Sequence, residues 1–376
     1  FINDNFLATQ NQSNKLLNLL RKDYKFNFNI KNLKRFKKYK TIAIIGMGGS
    51  ILGAKAIKYS LQKRIKKDFY FFDNIDTEKI INFKKKKNLD KILFIVISKS
   101  GNTIETLSNC FYLKIFKKNK KNIIIISERN KSFLHLISQK LNLFFIEHKD
   151  YIGGRYSVLS EVGLVPAYLM DLNIKNFKKN LKNNFLNQQK NSQREISVTL
   201  ANLLLKKKKT NLIFLNYVPQ LEKFLFWLQQ LIAESLGKDN KGFLPVISNV
   251  PRDHHSMLQL YLDGPKDKIF YIFSFDDNVK TKIKSNYFLN KKNFLNNKNL
   301  SDIKNAQKNA VIKTFKKNKI PFREFSLGKI NEEVLGELFS LFIIETIIIG
   351  KLAGLDPFNQ PAVEQVKIFT NKSLKK

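Results

Sequence analysis

Short apolar runs recur along the chain, and this pattern restricts the possible folds most strongly. In the first part of the chain they cover residues 41–45, 69–72, 92–97, 123–127 and 143–147, and a segment with helical spacing follows each of them. A run almost without polar residues predicts a strand that is buried on both faces. Strands that alternate with helices predict a parallel sheet with helices on both sides.

A second series of strands is predicted at residues 211–216, 243–248, 269–274 and 321–327. A chain of 376 residues is long enough for two domains of ordinary size. The sequence therefore predicts an α/β protein with two related domains, each a mainly parallel sheet flanked by helices. We place these domains at residues 1–160 and 161–350, and a C-terminal segment at residues 351–376.

The remaining stretches are predicted to be connections and one long helix. Residues 151–200 end in a polar, Asn- and Lys-rich connection, and residues 280–300 read as a loop. The last strong helix covers roughly residues 331–352. Its most apolar part, Phe339–Ile349, contains Glu345 and is shorter than the ~20 apolar residues that span a bilayer. We therefore predict a buried helix and no membrane partner.

The formal net charge of +38 raises the question of a nucleic-acid partner, because such proteins carry basic faces. The lysines fall in scattered runs, for example at 84–87, 117–121 and 206–209, and the chain is also rich in Asn, Ile and Phe. A coding bias explains this composition without a function, so we predict no nucleic-acid partner. A positive field would still attract an anionic substrate. The one cysteine, Cys110, excludes an intramolecular disulfide and suits a reducing compartment, so we expect a cytoplasmic protein.

The stretch "TIAIIGMGGSILGAKAI" reads as a strand, a glycine turn and a helix. Glycines allow a close approach of the backbone to a ligand, and the start of a helix offers free N–H groups to an anion. Asp73 ends the next strand, at about the distance where a dinucleotide-binding fold carries the acid that binds the ribose. The glycine spacing disfavours that fold, because Ile51 stands where the third glycine is required.

The stretch "SKSGNTIET" repeats this arrangement after the strand at 92–97. Ser98, Ser100 and Thr103 lie around the start of a helix, where hydroxyl groups either cap the helix or bind phosphate. Both turns follow strands of one sheet, and open α/β sheets bind ligands at the carboxyl ends of their strands. We therefore predict that this turn binds a phosphate group.

Six motifs together resemble the glucose-6-phosphate isomerase family. They stand in the family's order between about residue 40 and residue 367, and they read "GMGGS", "SKSGNTIET", "IGGRYSVLSEVGL", "AESLGK", "DHHSMLQLYLDG" and "NQPAVEQVK". The resemblance implies two sugar-isomerase domains, with residues 351–376 completing the active site. It further implies a glycolytic and gluconeogenic enzyme that interconverts glucose 6-phosphate and fructose 6-phosphate through a cis-enediol, without a metal or another cofactor.

The resemblance also implies a role for individual residues. Glu234 resembles the base that moves a proton between C1 and C2, and Arg155 resembles the cation beside the enediolate. His255 resembles the group that assists ring opening, and Lys367 resembles a further catalytic residue. The expected substrate-binding residues are Gly48, Gly49, Ser50, Ser98, Lys99, Ser100, Thr103 and Gln360.

The chemistry of these residue types fits the reaction. A carboxylate in a closed site can move a carbon-bound proton, a guanidinium stabilises charge on the enediolate oxygens, and imidazole transfers protons near neutral pH. Each residue also has an alternative explanation without a function. In that explanation Glu234 is a solvated or capping residue, Arg155 pairs with a surface acid, and Lys367 is one lysine among many. His254 and His255 are adjacent, a spacing that does not suit a metal site.

Departures from the family's pattern leave alternatives open. The turn before the histidines reads "NVPRDHH", Asn102 replaces a common Thr, and Ala362 replaces a common Gly. These changes leave room for a bifunctional glucose/mannose 6-phosphate isomerase. A non-catalytic sugar-phosphate-binding protein of the same fold is a further alternative, although the presence of Glu234 counts against it.

The resemblance implies a homodimer with shared active sites, in which His255 serves the neighbouring subunit. Two-fold symmetry would form two composite sites at once. The apolar segment Phe339–Ile349 is expected to offer hydrophobic surface for this dimer.

Overall fold

The computed structural model describes residues 15–21, 23–179, 181, 190–277, 280–284 and 294–375. Two parallel sheets organise this part of the chain, and their strands follow the apolar runs closely. The first sheet contains β1 Thr41–Ile45, β2 Asp68–Phe72, β3 Ile92–Ile97, β4 Ile123–Ser127 and β5 Phe144–Glu147, in the order β2-β1-β3-β4-β5. The second contains β6 Asn211–Asn216, β7 Leu244–Asn249, β8 Lys268–Phe275 and β9 Phe322–Leu327, in the order β7-β6-β8-β9.

The two sheets share a topology. In each, the first strand of the series pairs in parallel with the next two strands, as β1 does with β2 and β3 and β6 does with β7 and β8. The predicted α/β class with two mainly parallel sheets is therefore confirmed. The repeat lies in the order of the strands, which explains why no residue-level repeat is visible in the sequence.

The helices alternate with these strands. They are α1 Lys15–Asn18, α2 Ile30–Lys34, α3 Gly49–Ser60, α4 Thr77–Lys86, α5 Ile104–Tyr112, α6 Phe133–Lys140, α7 Glu161–Leu169, α8 Lys190–Lys206, α9 Glu222–Leu236, α10 Leu258–Asp263, α11 Leu300–Lys317, α12 Glu332–Leu352 and α13 Ala362–Leu374. Among the described residues, none of these helices is both long and apolar enough to cross a membrane.

The main hydrophobic core lies between the two sheets. It unites Ile57 of α3, Trp227 and Leu228 of α9, and Phe339 and Phe342 of α12. Smaller cores cover the two faces of the first sheet and the outer face of the second. Because α3 packs directly on α9, the glycine turn before α3 lies close to the helix that carries Glu234.

The predicted connections agree in part with these elements. The helix predicted at 331–352 is α12, and its apolar part is buried as predicted. The predicted loop at 280–300 extends over residues 285–293, which lie outside the described residues, as do 180 and 182–189 of the predicted connection. Val162, Val165 and Leu169 of α7 pack on the first sheet, which favours a domain boundary further along the chain than residue 160. The division at 160 and 350 stays a prediction.

Candidate active site

A buried arginine stands at the centre of the site. Arg155 lies in a 3-10 turn, Gly154–Leu159, and its side chain is 3% exposed. Its Nε donates a hydrogen bond to Ser235 Oγ at 2.7 Å, and its Nη1 donates to Gln360 Oε1 at 3.1 Å. Its Nη2 donates to the backbone carbonyls of Pro357 and Asn359. These partners hold the guanidinium in one orientation, as a buried charge requires.

Glu234 lies beside this guanidinium, in the last turn of α9. Its Oε2 is 3.3 Å from Nη1 of Arg155, and its Oε1 accepts a hydrogen bond from Gln230 Nε2 at 2.8 Å. The Glu234 side chain is 32% exposed, so one carboxylate is both oriented and accessible from solvent. This is the geometry that a base acting on a bound substrate needs.

The glycine turn brings the first half of the chain into contact with Arg155. A Cβ atom added to Gly49 would lie 2.1 Å from the carbonyl carbon of Gly154 and 2.5 Å from the backbone nitrogen of Arg155. Gly48 has φ of +51°, and a Cβ there would lie 2.7 Å from Gln230 Nε2. Only glycines allow this approach of "GMGGS" to "GGRYS", and Ser50 follows them in the first turn of α3.

The hydroxyl-rich turn follows β3, next to the strand that leads into the glycine turn. Ser98 is buried, and its Oγ lies 2.8 Å from Thr103 Oγ1 and accepts a hydrogen bond from the backbone N–H of Gly101. Ser100 is exposed, and its Oγ accepts from the backbone N–H of Asn102. Hydroxyls thus surround the start of α5. The carboxyl ends of β1 and β3 place this turn and the glycine turn at one edge of the sheet.

Lys99 provides the positive charge of this turn. Its Nζ lies 3.7 Å from Glu128 Oε1, and its side chain is 36% exposed. The pKa of His148 is lowered to about 4, mainly because the imidazole is buried and further because of the positive charge of Lys99. A neutral imidazole adds no positive charge near the turn, and Lys99 is the cationic side chain within residues 98–103.

Two expected catalytic residues lie apart from this group. His255 is exposed in a 3-10 turn, Arg252–His255, whereas His254 is partly buried and lies 3.0 Å from the Tyr217 hydroxyl through Nε2. Lys367 is exposed on α13 and pairs with Glu364 at 3.0 Å. In the described part of the chain, no hydrogen bond or ion pair joins His255 or Lys367 to Arg155, Glu234 or Gln360.

Gln230 was not predicted from the sequence. Its Nε2 donates a hydrogen bond to Glu234 and lies 2.7 Å from where a Cβ atom on Gly48 would stand. One signal was available: Gln230 precedes Glu234 by four residues, so both side chains project from one face of α9. Ser235 was also missed, although it links Arg155 and the Tyr156 hydroxyl. Among the described residues, no group of three or more His, Cys, Asp or Glu side chains is arranged to hold a metal ion. Asp73, the acid of the dinucleotide alternative, is paired with Lys55.

Comparisons with known proteins show the family of the chain. The sequence profile described as phosphoglucose isomerase matches residues 24–376. The chain belongs to the phosphoglucose isomerase family. Among its relatives, the probable glucose-6-phosphate isomerase of Methanococcus maripaludis is 34% identical over 90% of this chain and 79% of that protein. The glucose-6-phosphate isomerase of Campylobacter jejuni is 31% identical over 89% of this chain and 85% of that protein.

Solved structures share the fold of this family member. A hypothetical protein from Thermus thermophilus superposes with a TM-score of 0.86 at 22% identity, over 100% of this chain and 94% of the other. A glucose-6-phosphate isomerase from Chlamydia trachomatis superposes with a TM-score of 0.75 at 20% identity, over 92% and 72% of the two chains. At these identities the likeness shows the fold alone, which is that of two sugar-isomerase-type domains.

Proposed function

We propose that this protein interconverts glucose 6-phosphate and fructose 6-phosphate as an aldose–ketose isomerase of glycolysis and gluconeogenesis. The observation that carries the proposal is the contact of Glu234 with the buried Arg155 beside the glycine turn. Both sequence relatives described above are named for glucose 6-phosphate. These names do not favour an additional mannose 6-phosphate activity or a protein that only binds sugar phosphate.

The substrate's phosphate group binds at the hydroxyl-rich turn in this proposal. Ser98, Ser100 and Thr103 donate hydrogen bonds to its oxygens, together with backbone N–H groups at the start of α5, and Lys99 adds a positive charge. Gly48, Gly49 and Ser50 line the sugar beside this turn. The sugar carbons then extend towards Arg155 and Glu234.

The reaction itself needs one proton to move between two carbons. Once the ring is open, Glu234 removes the proton from C2 of the aldose, and the electron pair of the broken C–H bond forms the C1–C2 double bond of a cis-enediolate. Arg155 and Gln360 stabilise the charge that develops on its oxygens, an effect that is typically worth about 3–4 kcal/mol for one such donor. Glu234 returns the proton to C1, the proton of the C2 hydroxyl passes to the C1 oxygen, and the C2–O bond becomes the carbonyl of the ketose.

The substitution Glu234→Gln tests this assignment. The amide keeps the shape of the side chain but cannot accept the proton, so isomerisation is expected to fall by ~10²–10⁴-fold or more while sugar-phosphate binding is largely retained. A coupled assay with fructose 6-phosphate measures turnover, and calorimetric titration measures binding. Glu78→Gln, an exposed glutamate in the first turn of α4, is the matched control. Turnover of Glu234→Gln within tenfold of the wild type would contradict the role of the base.

We further propose a cytoplasmic homodimer, and α13 supports the dimer. This helix has no buried residue, and Val363, Val366, Phe369 and Leu374 are 42–68% exposed. Their spacing places them on one helical face. An isolated helix of this length is marginal in water, so its apolar face needs a partner. A second copy that covers this face would also order Lys367, which follows Val366 directly.

The prediction that Phe339–Ile349 offers hydrophobic surface for the dimer is wrong. Phe339, Ile343 and Ile347 are at most 1% exposed, because α12 packs against α9 inside the chain. Its apolar side chains complete the core of one subunit, and within the segment only Leu341 and Ile344 are partly exposed. The exposed apolar face of α13 takes its place in the proposal.

Subunit mixing tests whether His255 serves the neighbouring site. In a shared arrangement, heterodimers of Glu234→Gln and His255→Ala contain one intact site and one doubly damaged site, so partial activity returns. If each site lies within one chain, both sites of the heterodimer carry one defect and remain inactive. Each variant taken through the same mixing alone is the control. Inactivity despite subunit exchange, verified with two affinity tags, would contradict the shared site.

A further inference from the structure

The chain between α12 and α13 determines how the Arg155 guanidinium is held. Pro357 and Asn359 supply backbone carbonyls to Nη2, and Gln360 supplies its side-chain oxygen to Nη1. The Pro357 carbonyl also accepts a hydrogen bond from the Tyr156 hydroxyl at 2.8 Å. Because the donors of a guanidinium point in fixed directions, a displacement of this segment would displace or turn Arg155.

Two lysines from one loop fasten this segment. Lys238 Nζ donates to the backbone carbonyl of Asp356, and Lys241 Nζ donates to that of Ala353 at 3.1 Å. The two lysines form a tight hairpin, in which the Lys241 N–H donates to the Lys238 carbonyl at 2.8 Å and the Lys238 N–H donates back at 3.1 Å. Both tip residues, Asp239 and Asn240, have positive φ, as the common two-residue hairpin turn requires.

The loop begins where the helix of Glu234 ends. Helix α9 ends at Leu236, and Lys238 follows Glu234 by four residues. A pocket of about 450 Å³, lined among others by Ala233, Gly237 and Lys241, leaves open space on one side of the loop. The lysine contacts therefore link the helix of the carboxylate to the segment that orients the guanidinium.

The Lys238 ammonium also interacts electrostatically with the charged groups of the site. Burial lowers the pKa of the Lys238 ammonium, and the positive charge of Arg155 lowers it further, whereas Asp356, Asp239 and Glu234 raise it. The ammonium thus lies within electrostatic reach of both Arg155 and Glu234. Its hydrogen bond to the Asp356 carbonyl offsets part of the cost of that position.

We propose that Lys238 is a positioning residue of the isomerase reaction and that Lys241 supports it. By holding the carbonyls of Asp356 and Ala353, the two lysines keep the partners of Arg155 in place, and so keep the guanidinium in place beside Glu234. Lys238 has no part in binding the substrate's phosphate. The inference rests on the proposed function.

The substitution Lys238→Met in the full chain tests the proposal. It removes the ammonium and keeps most of the side-chain volume, so kcat for fructose 6-phosphate is expected to fall about tenfold. KM and the inhibition constant of inorganic phosphate stay within about twofold of the wild type. Lys238→Arg retains a cationic donor and restores at least half of the lost kcat on a logarithmic scale. Lys84→Met is the matched control, because Lys84 Nζ donates to the Tyr112 carbonyl at 3.2 Å far from the site, and its kcat stays unchanged.

Two further measurements separate positioning from stability. All rates are referred to folded protein, measured by circular dichroism well below each variant's Tm. Tyr156→Phe combined with Lys238→Met is expected to lose no more kcat than the worse single variant, because the Tyr156 hydroxyl and the Lys238 ammonium both hold the segment that carries the partners of Arg155. Per-molecule kcat of Lys238→Met within twofold of the wild type, or losses that multiply in the double variant, would overturn the proposal. A wild type that does not isomerise fructose 6-phosphate would refute the proposed function, and the inference with it.

Discussion

The contact between Gly49 and Gly154 makes a sharp prediction about how closely the two halves of the site must fit. In Gly49→Ala the new methyl carbon would lie 2.1 Å from the carbonyl carbon and 2.3 Å from the carbonyl oxygen of Gly154, whereas ordinary contacts begin at 3.4 Å. The shortfall is about 1.3 Å, and every atom involved is backbone. No side chain can therefore turn aside, and the backbone at 154–155, the backbone at Gly49 or both have to move.

The size of the effect follows from this displacement. If the two backbones share the movement, Arg155 shifts by roughly 0.5–1 Å, and a misplacement of about 1 Å typically costs ~10²-fold in rate. We expect kcat to fall between about 10- and 100-fold, which corresponds to roughly 1.4–2.7 kcal/mol of lost transition-state stabilisation. Overpacking of this kind also lowers the free energy of unfolding by about 1–3 kcal/mol.

The assay measures glucose 6-phosphate formed from fructose 6-phosphate through NADPH absorbance in a coupled reaction, with thermal unfolding recorded for each variant. Gly328→Ala is the control, because nothing lies within 4 Å of the added methyl group. Gly154→Ala is the informative contrast: its methyl group would approach only Gly49 Cα, at 3.8 Å, so a loss within about threefold is expected. If folded Gly49→Ala keeps kcat within threefold of the wild type, this backbone contact does not position Arg155.

Three further predictions concern the phosphate turn and two buried ionisable groups. Ser98→Ala combined with Thr103→Ala is expected to raise KM at least tenfold and weaken inhibition by inorganic phosphate equally, because two hydroxyl donors are lost; unchanged constants would place the phosphate elsewhere. Burial lowers the pKa of His148 from 6.5 to about 4, so the folded state binds fewer protons than the unfolded state between these pH values. The resulting contribution of up to about 3 kcal/mol to the free energy of unfolding is present above pH 6.5 and is lost as the pH falls to about 4. Urea unfolding between pH 4 and 7.5 should show a shallower decline for His148→Gln, and parallel curves would contradict this. Burial lowers the pKa of Lys178 from 10.5 to about 7, so the free energy of unfolding should rise with pH between 7 and 10.5 by up to about 1.4 kcal/mol per unit, a slope that Lys178→Met should lose.

The sheets could be predicted from the sequence because their signal is local. The central strands β1, β3 and β4 of the first sheet are almost completely buried, so the apolar run of each marks it within one or two residues, as at Ile92–Ile97. The turns after β1 and β3 were also recognisable, since glycine or hydroxyl residues there stand between an apolar run and a segment with helical spacing. Helix capping and phosphate binding both explain the hydroxyls, and two such turns in one sheet favoured a ligand. The parallel order of the strands then places both turns at one edge.

The contacts of the site were not predictable, because they join residues that lie far apart along the chain. Arg155 contacts Glu234 and Gln360, which lie 79 and 205 residues further along the chain, and the sequence around Arg155 does not indicate either partner. The motif resemblance supplied these residues without their geometry. The position of α13 shows the opposite limit: its amphipathic pattern predicts a helix, but none of its described residues is buried against the rest of the chain.

The dependence of Arg155 on Pro357, Asn359 and Gln360 has a consequence for protein synthesis. A ribosome makes both sheets first and adds these partners a few seconds later, at roughly 5–20 residues per second. Until then the buried guanidinium has Ser235 and Glu234 but lacks these three acceptors, and each buried donor left without a partner costs about 1–3 kcal/mol. A chain that ends prematurely after Leu352 would therefore be less stable as well as inactive, and proteases that remove unstable proteins would degrade it faster than the complete chain.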